Sequence, residues 1–171
     1  MTPRAHVSAM PTVTRVRVLA SQTHVTSLIF AARAALVIDK YHLLKHPFYQ
    51  IYWNEGKLNR EIIKDYAEQY YQHVKAFPRY ISATHSICED LEKRRILLEN
   101  LQDEENKDGD HPKLWKNFAK SLGADESIEN VKLDWFTKDM IENFFVQARK
   151  SYAEGLASLY TYERQIPEIA E

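Results

Sequence analysis

Cysteine is nearly absent from this chain. Cys88 stands alone among 171 residues, so no intrachain disulfide framework is possible, and the pattern suits a reducing, cytoplasmic setting. Glycine is almost as scarce, with four in the whole chain, and long periodic stretches run between them, which argues for a mostly helical protein. Charge of one sign is lacking too. The 23 Lys and Arg residues balance 24 Asp and Glu, for a net charge of −1, so no global field draws the chain to nucleic acid or to an anionic membrane. No apolar run approaches the roughly 20 residues that a membrane-spanning helix needs. The length fits one domain with a real core.

A local absence marks the N-terminus. The first 38 residues contain no Asp or Glu, carry Arg4, Arg15, Arg17 and Arg33, and are rich in Ser, Thr, Val and Ala. Such a segment could be a targeting presequence. It merges into a helical stretch, Leu28 to Leu44, without a cleavage signal, so residues 1–37 are read as an atypical leader and 38–171 as the domain. His6 and His24 have no evident partner there and are expected to be solvated.

From Ile38 onward the helix signals come close together. Pro47 opens an aromatic stretch of Phe48, Tyr49, Ile51, Tyr52 and Trp53, and Gly56 stops it. Asn59 can cap a helix from Arg60 to about Ala76, which sets Ile63, Tyr66, Ala67, Tyr70, Tyr71 and Val74 on one face. A tyrosine stripe at that spacing is ordinarily core. Pro78 is expected to restart the chain into a second helix, Tyr80 to Leu101. Lys113 to Leu122 is amphipathic and ends at Gly123, Asp125 to Leu133 reads as a polar loop, and one long helix is expected from Trp135 to about Arg164. Gly155 inside that last run lowers helical stability by about 1 kcal/mol relative to Ala, which points to close packing there.

The corner from Leu98 to Trp115 carries the chemistry. Leu97, Leu98 and Leu101 mark the apolar face of a helix that ends near Asn106; Gly109 and Asp110 break it, and Pro112 opens the next. Glu104 and His111 flank the turn. They can converge on one interior point as half of a metal site; an acidic helix end before a turn is also commonly a solvated corner. Glu163, amid Leu159, Tyr160, Tyr162 and Ile166, needs a partner if its face is buried, because a lone buried charge is expensive.

Four strings then converge on one resemblance: His46-Pro47-Phe48-Tyr49-Gln50, the run Tyr66 to Val74, the run Phe77 to Ala83, and Tyr160 to Pro167. From about Ile38 to Glu171 the chain resembles the TenA/PqqC superfamily, and within it the branch of the chlamydial protein associating with death domains (CADD). The resemblance implies an all-α, heme-oxygenase-like helical bundle without heme. It also implies a dinuclear oxygenase of iron, or iron with manganese, that uses dioxygen and serves para-aminobenzoate and folate biosynthesis by consuming one of its own tyrosines. By the same resemblance Glu104, His111 and Glu163 are metal ligands, Tyr49 is the sacrificed side chain, and Tyr66 is a second tyrosine near the metals. Both tyrosines are then expected to line the ligands' cavity. A death-domain partner is implied in the same way, whereas homodimerisation is expected from apolar side chains such as Phe144, Phe145, Leu156 and Tyr160 if missing late helices leave them uncovered.

Sibling branches differ at specific residues. Thiaminase-like members use a late-helix cysteine, and 158–169 has none. The PqqC branch carries Asp-His-Asp-Gly where this chain has Asp103-Glu104-Glu105-Asn106, and glutamate there favours metal over cofactorless quinone formation. No Glu-x-x-His pair of the ferritin type occurs. The branch also has a late His-x3-Asp-x2-His helix. Its absence here leads to the expectation of a bundle lacking its last helices, with three of six ligands, whose oxygenase site needs completion. A non-catalytic interaction module and a PqqC-like oxidase are the alternative readings.

Overall fold

The computed structural model describes residues 25–107 and 110–169, and among them there are helices and turns and no strand. The all-α, heme-oxygenase-like fold class expected from the sequence is what forms. Helix α1 spans Val25–Lys40, α2 Arg60–Ser86, α3 Leu91–Glu104, α4 His111–Ser121, α5 Trp135–Lys150, α6 Tyr152–Glu163 and α7 Ile166–Ile169. Between α1 and α2 lie a 3-10 turn, Leu43–Lys45, and a π-helical turn, Phe48–Trp53. No helix among the described residues is long and apolar enough to cross a membrane. Residues 1–24, with His6 and His24, and the helix-breaking role read at Gly109 lie outside the described residues.

Helix α2 is the axis of the bundle, packing on α3, α4, α5 and α6. It starts as its residues dictate, with Asn59 Oδ1 accepting from the Ile62 amide at 2.9 Å and Glu61 in the first turn. It does not stop at Ala76. Pro78 lies inside a helix that continues to Ser86. A mid-helix proline forfeits one ladder hydrogen bond and crowds the preceding turn, at about 3 kcal/mol. Around it Phe77, Tyr80 and Ile81 are at most 4% exposed, in a core with Leu97, Ala148 and Leu159, and this burial outweighs the proline cost. The break comes instead at Ile87–Asp90. Asp90 Oδ1 caps α3 by accepting from the Glu92 and Lys93 amides, and Arg94 bridges the break by donating to the His85 and Cys88 carbonyls.

Other boundaries move for equally local reasons. The first helix ends at Lys40 rather than Leu44, and His42 Nδ1 accepts the Leu44 amide of the following turn. The polar stretch after Gly123 folds into a 3-10 turn, Glu126–Asn130, that inserts a fully buried Ile128 beside Ala67, Tyr71 and Ala119. Glu129 of that turn accepts from the Tyr71 hydroxyl and from Lys75 and Lys116, and these donors hold its carboxyl down at about 2. The expected single helix from Trp135 to Arg164 is two. Ser151 is extended (φ −159°, ψ 162°), its Oγ accepts the Glu154 amide and donates to the Glu154 carboxylate. Ser151-Tyr152-Ala153-Glu154 is a capping box, a local signal for a helix start.

Gly155 is where α6 meets α2. A Cβ on it would stand 2.5 Å from Thr84 Oγ1 and 2.8 Å from Thr84 Cγ2, and Thr84 is fully buried with its hydroxyl donating to the Tyr80 carbonyl. Gly155→Ala is therefore expected to lose about 1–3 kcal/mol of stability to overpacking, despite alanine's better helix propensity. Chemical denaturation of Gly155→Ala, Thr84→Ala and the double variant checks this. The double variant should recover most of the loss, and a Gly155→Ala chain as stable as the parent would contradict the tight crossing.

Candidate metal centre

Glu104 is the last residue of α3 and His111 the first of α4, so the corner between two helices sets both side chains. Asp110 Oδ1 accepts the Lys113 amide at 2.6 Å and fixes the start of α4, with Pro112 in its first turn. The result is direct contact: His111 Nδ1 lies 2.7 Å from Glu104 Oε2. The bond to Glu104 raises the His111 pKa against the opposing effect of burial. Glu163 ends α6 and faces Glu104 across a cavity of about 20 Å³, walled by Phe77, Ile81, Leu97 and Leu159. That is room for one water-sized species.

Burial, and then the charge of Glu104, push the Glu163 carboxyl up to about 7, while His111 pulls in the other direction. His111 itself is not among the residues lining the cavity and reaches it through Glu104. Among the described residues no group of three or more His, Cys, Asp or Glu side chains stands close enough together to hold a metal ion. The two facing carboxylates and the imidazole are thus neighbours, with Glu104 turned to His111 as its partner.

Tyr49 and Tyr66 do not line this cavity. They stand at the far end of a file of phenols that leads to it. The Tyr49 and Tyr66 hydroxyls share a hydrogen bond of 3.2 Å, the Tyr66 ring stacks on Tyr70 with centroids 5.5 Å apart, and the Tyr70 hydroxyl bonds the Tyr162 hydroxyl, one residue before Glu163. Burial drives the Tyr66, Tyr70 and Tyr162 hydroxyls well above their ordinary range, so all three stay protonated. Trp115 braces the file, donating Nε1–H to the Ala67 carbonyl and setting its ring 4.7 Å from Tyr70.

Tyr70 and Tyr162 were not distinguishable from core by spacing. Tyr66 and Tyr70 are four residues apart on one helix face, a signal of contact, but Tyr162 joins them only across the bundle. His73 is a further surprise. It is fully buried in a ring of Tyr70, Phe77, Tyr80, Phe144 and Tyr162, with neither ring nitrogen bonded to any described residue, and burial lowers its pKa to about 4.

Residues 31–171 match the TENA/THI-4/PQQC family. The chain is similar to proteins called 4-aminobenzoate synthase. It is 46% identical to the one from Chlamydia pneumoniae over 134 residues, covering 77% of this chain and 59% of the relative. It is 44% identical to that of Chlamydia trachomatis serovar D (82% and 62% covered) and 40% identical to that of Nitrosomonas europaea (82% and 61%). The chain therefore spans about three fifths of the length of the curated relatives it matches.

The electrostatics of the pair give a pH dependence. Between the ordinary value of 4.5 and about 7, the folded state keeps the Glu163 proton that the unfolded chain has lost. Stability contributed by that protonation therefore falls as pH rises through this window, by roughly 3 kcal/mol in all. The raised His111 pKa acts in the same sense, its contribution disappearing as pH rises beyond the folded value. Without added metal, Glu163→Gln should flatten the decline and leave the protein more stable than its parent at pH 8. Urea denaturation from pH 4.5 to 8 measures it, and parallel curves for the two proteins would mean that Glu163 is not the titrating group.

Proposed function

This chain belongs to the TENA/THI-4/PQQC family, and from that membership we propose that it is an oxygenase of the 4-aminobenzoate synthase type, acting in folate biosynthesis. The observation that carries the reading is the pair of carboxylates, Glu104 and Glu163, facing one small cavity beside an interior file of tyrosines. Burial and the neighbouring charge of Glu104 raise the Glu163 carboxyl to about 7, and His111, paired with Glu104, offsets this only in part. Hard oxygen donors with an imidazole suit iron or manganese, so the donor set fits the metal in kind. Glu104, His111 and Glu163 would hold it, with further ligands needed for a dinuclear pair. When bound, the metal supplies activation of dioxygen, the co-substrate.

The chain's own part is to present the phenol to be oxidised. Tyr49 is that side chain, and its ring becomes the aromatic ring of the product. Tyr66 holds the Tyr49 hydroxyl, and Phe48, Trp53 and Trp115 pack their rings against the first two phenols of the file. The high pKa values of Tyr66, Tyr70 and Tyr162 keep each hydroxyl in its neutral, hydrogen-bonding form at any physiological pH.

A second reading is a non-catalytic interaction module, and the exposed Trp135 and Phe136, 79% and 54% accessible, favour it as a surface for a partner of the death-domain type or a second copy. Metal binding separates the two.

Aerobic loading with iron, or iron and manganese, followed by peptide mass mapping tests the proposal. Loss of the Tyr49 side chain is expected, with release of 4-aminobenzoate when a reductant and an amine donor are supplied together with the metal and dioxygen. Tyr49→Phe should abolish both, and Tyr66→Phe should lower the yield roughly 10–100-fold by misplacing the phenol. An intact Tyr49 after metal and oxygen, with metal bound, would sink the self-sacrificial route. With the three donors Glu104, His111 and Glu163, iron is expected to bind weakly. A full dinuclear centre kept through gel filtration would contradict that expectation.

A further inference from the structure

Tyr49 sits on a piece of chain with little to hold it. No residue of the 3-10 turn Leu43–Lys45 or of the π-helical turn Phe48–Trp53 is buried. Its internal hydrogen bonds are local: Lys45 to His42, His46 to Leu43, Tyr49 and Gln50 to His46, and Gln50 Nε2 to the Leu44 carbonyl. They make the segment one connected unit from His42 to Tyr49, but they do not say where it lies against the bundle.

Among the described residues, two hydrogen bonds tie this unit to helices beyond α1. One is the Tyr49–Tyr66 hydroxyl contact. The other is made by Gln165, which is 7% exposed and two residues past Glu163. Its Oε1 accepts the Leu43 amide at 2.8 Å, across 122 positions of sequence, and its Nε2 donates to the Thr161 carbonyl at 2.8 Å. Both ends of the amide are used, so the side chain has one orientation. His42 Nε2, 3.3 Å from the Glu168 carboxylate, lies beside this junction.

We infer that Gln165 is a positioning residue, a clasp that sets the segment carrying Tyr49 in register with the end of α6 carrying Glu163. The assignment of Tyr49 as the reacting side chain rests on the function proposed above; the clasp itself rests on the geometry. A buried amide that bonds α6 at one end and the 3-10 turn at the other transmits the position of α6 directly to Leu43. The local hydrogen bonds carry it six residues on to Tyr49. Removing the clasp leaves the Tyr49–Tyr66 hydroxyl contact, the His42–Glu168 contact beside the junction and half-buried rings to locate the phenol.

Two independent substitutions cut the same bond. Gln165→Leu removes the acceptor. Leu43→Pro removes the donor, and its backbone suits proline, because the position opens a helical turn and the preceding His42 is already extended at φ −55°, ψ 134°. Hydrogen exchange of the amides in residues 44–56, read by mass spectrometry on the full chain, should rise about fivefold in either variant, the effect of losing one typical hydrogen bond. Amides of α2 and α5 should keep their protection. The double variant should exchange no faster than the single ones, since both remove one interaction.

On loading with ferrous iron and oxygen, oxidation of Tyr49 per bound iron should fall in both variants while iron affinity holds. Unchanged exchange over 44–56 in Leu43→Pro, or additive effects in the double variant, would overturn the clasp. A global loss of protection in Gln165→Leu with a quiet Leu43→Pro would also overturn it, by showing that Gln165 only holds up the fold. If Tyr49 is unmodified even in the parent chain, the proposed function fails by itself, and the exchange data still decide the clasp.

Discussion

Everything in this bundle depends on α2 running unbroken through Pro78. One helix of 27 residues presents its faces to four others, and positions on both sides of the proline, Ala76 and Phe77 before it and Tyr80 and Ile81 after it, build the main core. Had the chain turned at Pro78, the Tyr66–Tyr70 face and the Phe77–Thr84 face would have been free to point in unrelated directions. Continuity puts them on one rod, at fixed rotation of about 100° per residue. The file of phenols and the wall of the carboxylate cavity are then two stretches of the same surface.

The cavity shows what that core costs. Ending α3 and α6 with glutamates that face each other in a low-dielectric interior is unfavourable unless charge is removed or matched. The molecule does both in part. His111 matches Glu104 through a 2.7 Å contact, and Glu163 holds its proton to about pH 7. The same burial acts in the opposite sense on the phenols, where the neutral form is the one the hydrogen bonds require.

The segment between α1 and α2 contrasts with this interior. Apart from His42 it contributes no buried residue, and it is placed by polar contacts, Gln165 to Leu43 and Tyr66 to Tyr49. Tyr49, on a lightly packed segment pinned at defined points, combines access with position. Ser151 serves a related end on the other side. By breaking the expected long helix it lets α6 approach α2 closely at Gly155, and this crossing sets the direction from which Glu163 enters the cavity.

Local chemistry made several features legible in the sequence alone. The helical class, the Asn59 cap, the Glu104–His111 corner and the close contact at Gly155 follow from propensity, capping and spacing within a few residues. The Ser151 capping box and the Asp90 cap were present as signals of the same kind, masked by the stronger apolar period around them. Pro78 was misread because a local rule, the cost of proline in a helix, was overridden by the burial of Phe77, Tyr80 and Ile81. That burial exists only once α3, α5 and α6 are in place. Leu43 and Gln165 lie 122 positions apart, and Tyr70 and Tyr162 lie 92 apart. No periodicity relates such residues, because the distance between them is set by how helices cross and not by how each is built. The sequence by itself determined that the chain is helical and which side chains its faces carry; tertiary packing decided that α2 runs through Pro78 and, by setting α6 on α2, which carboxylates and phenols meet.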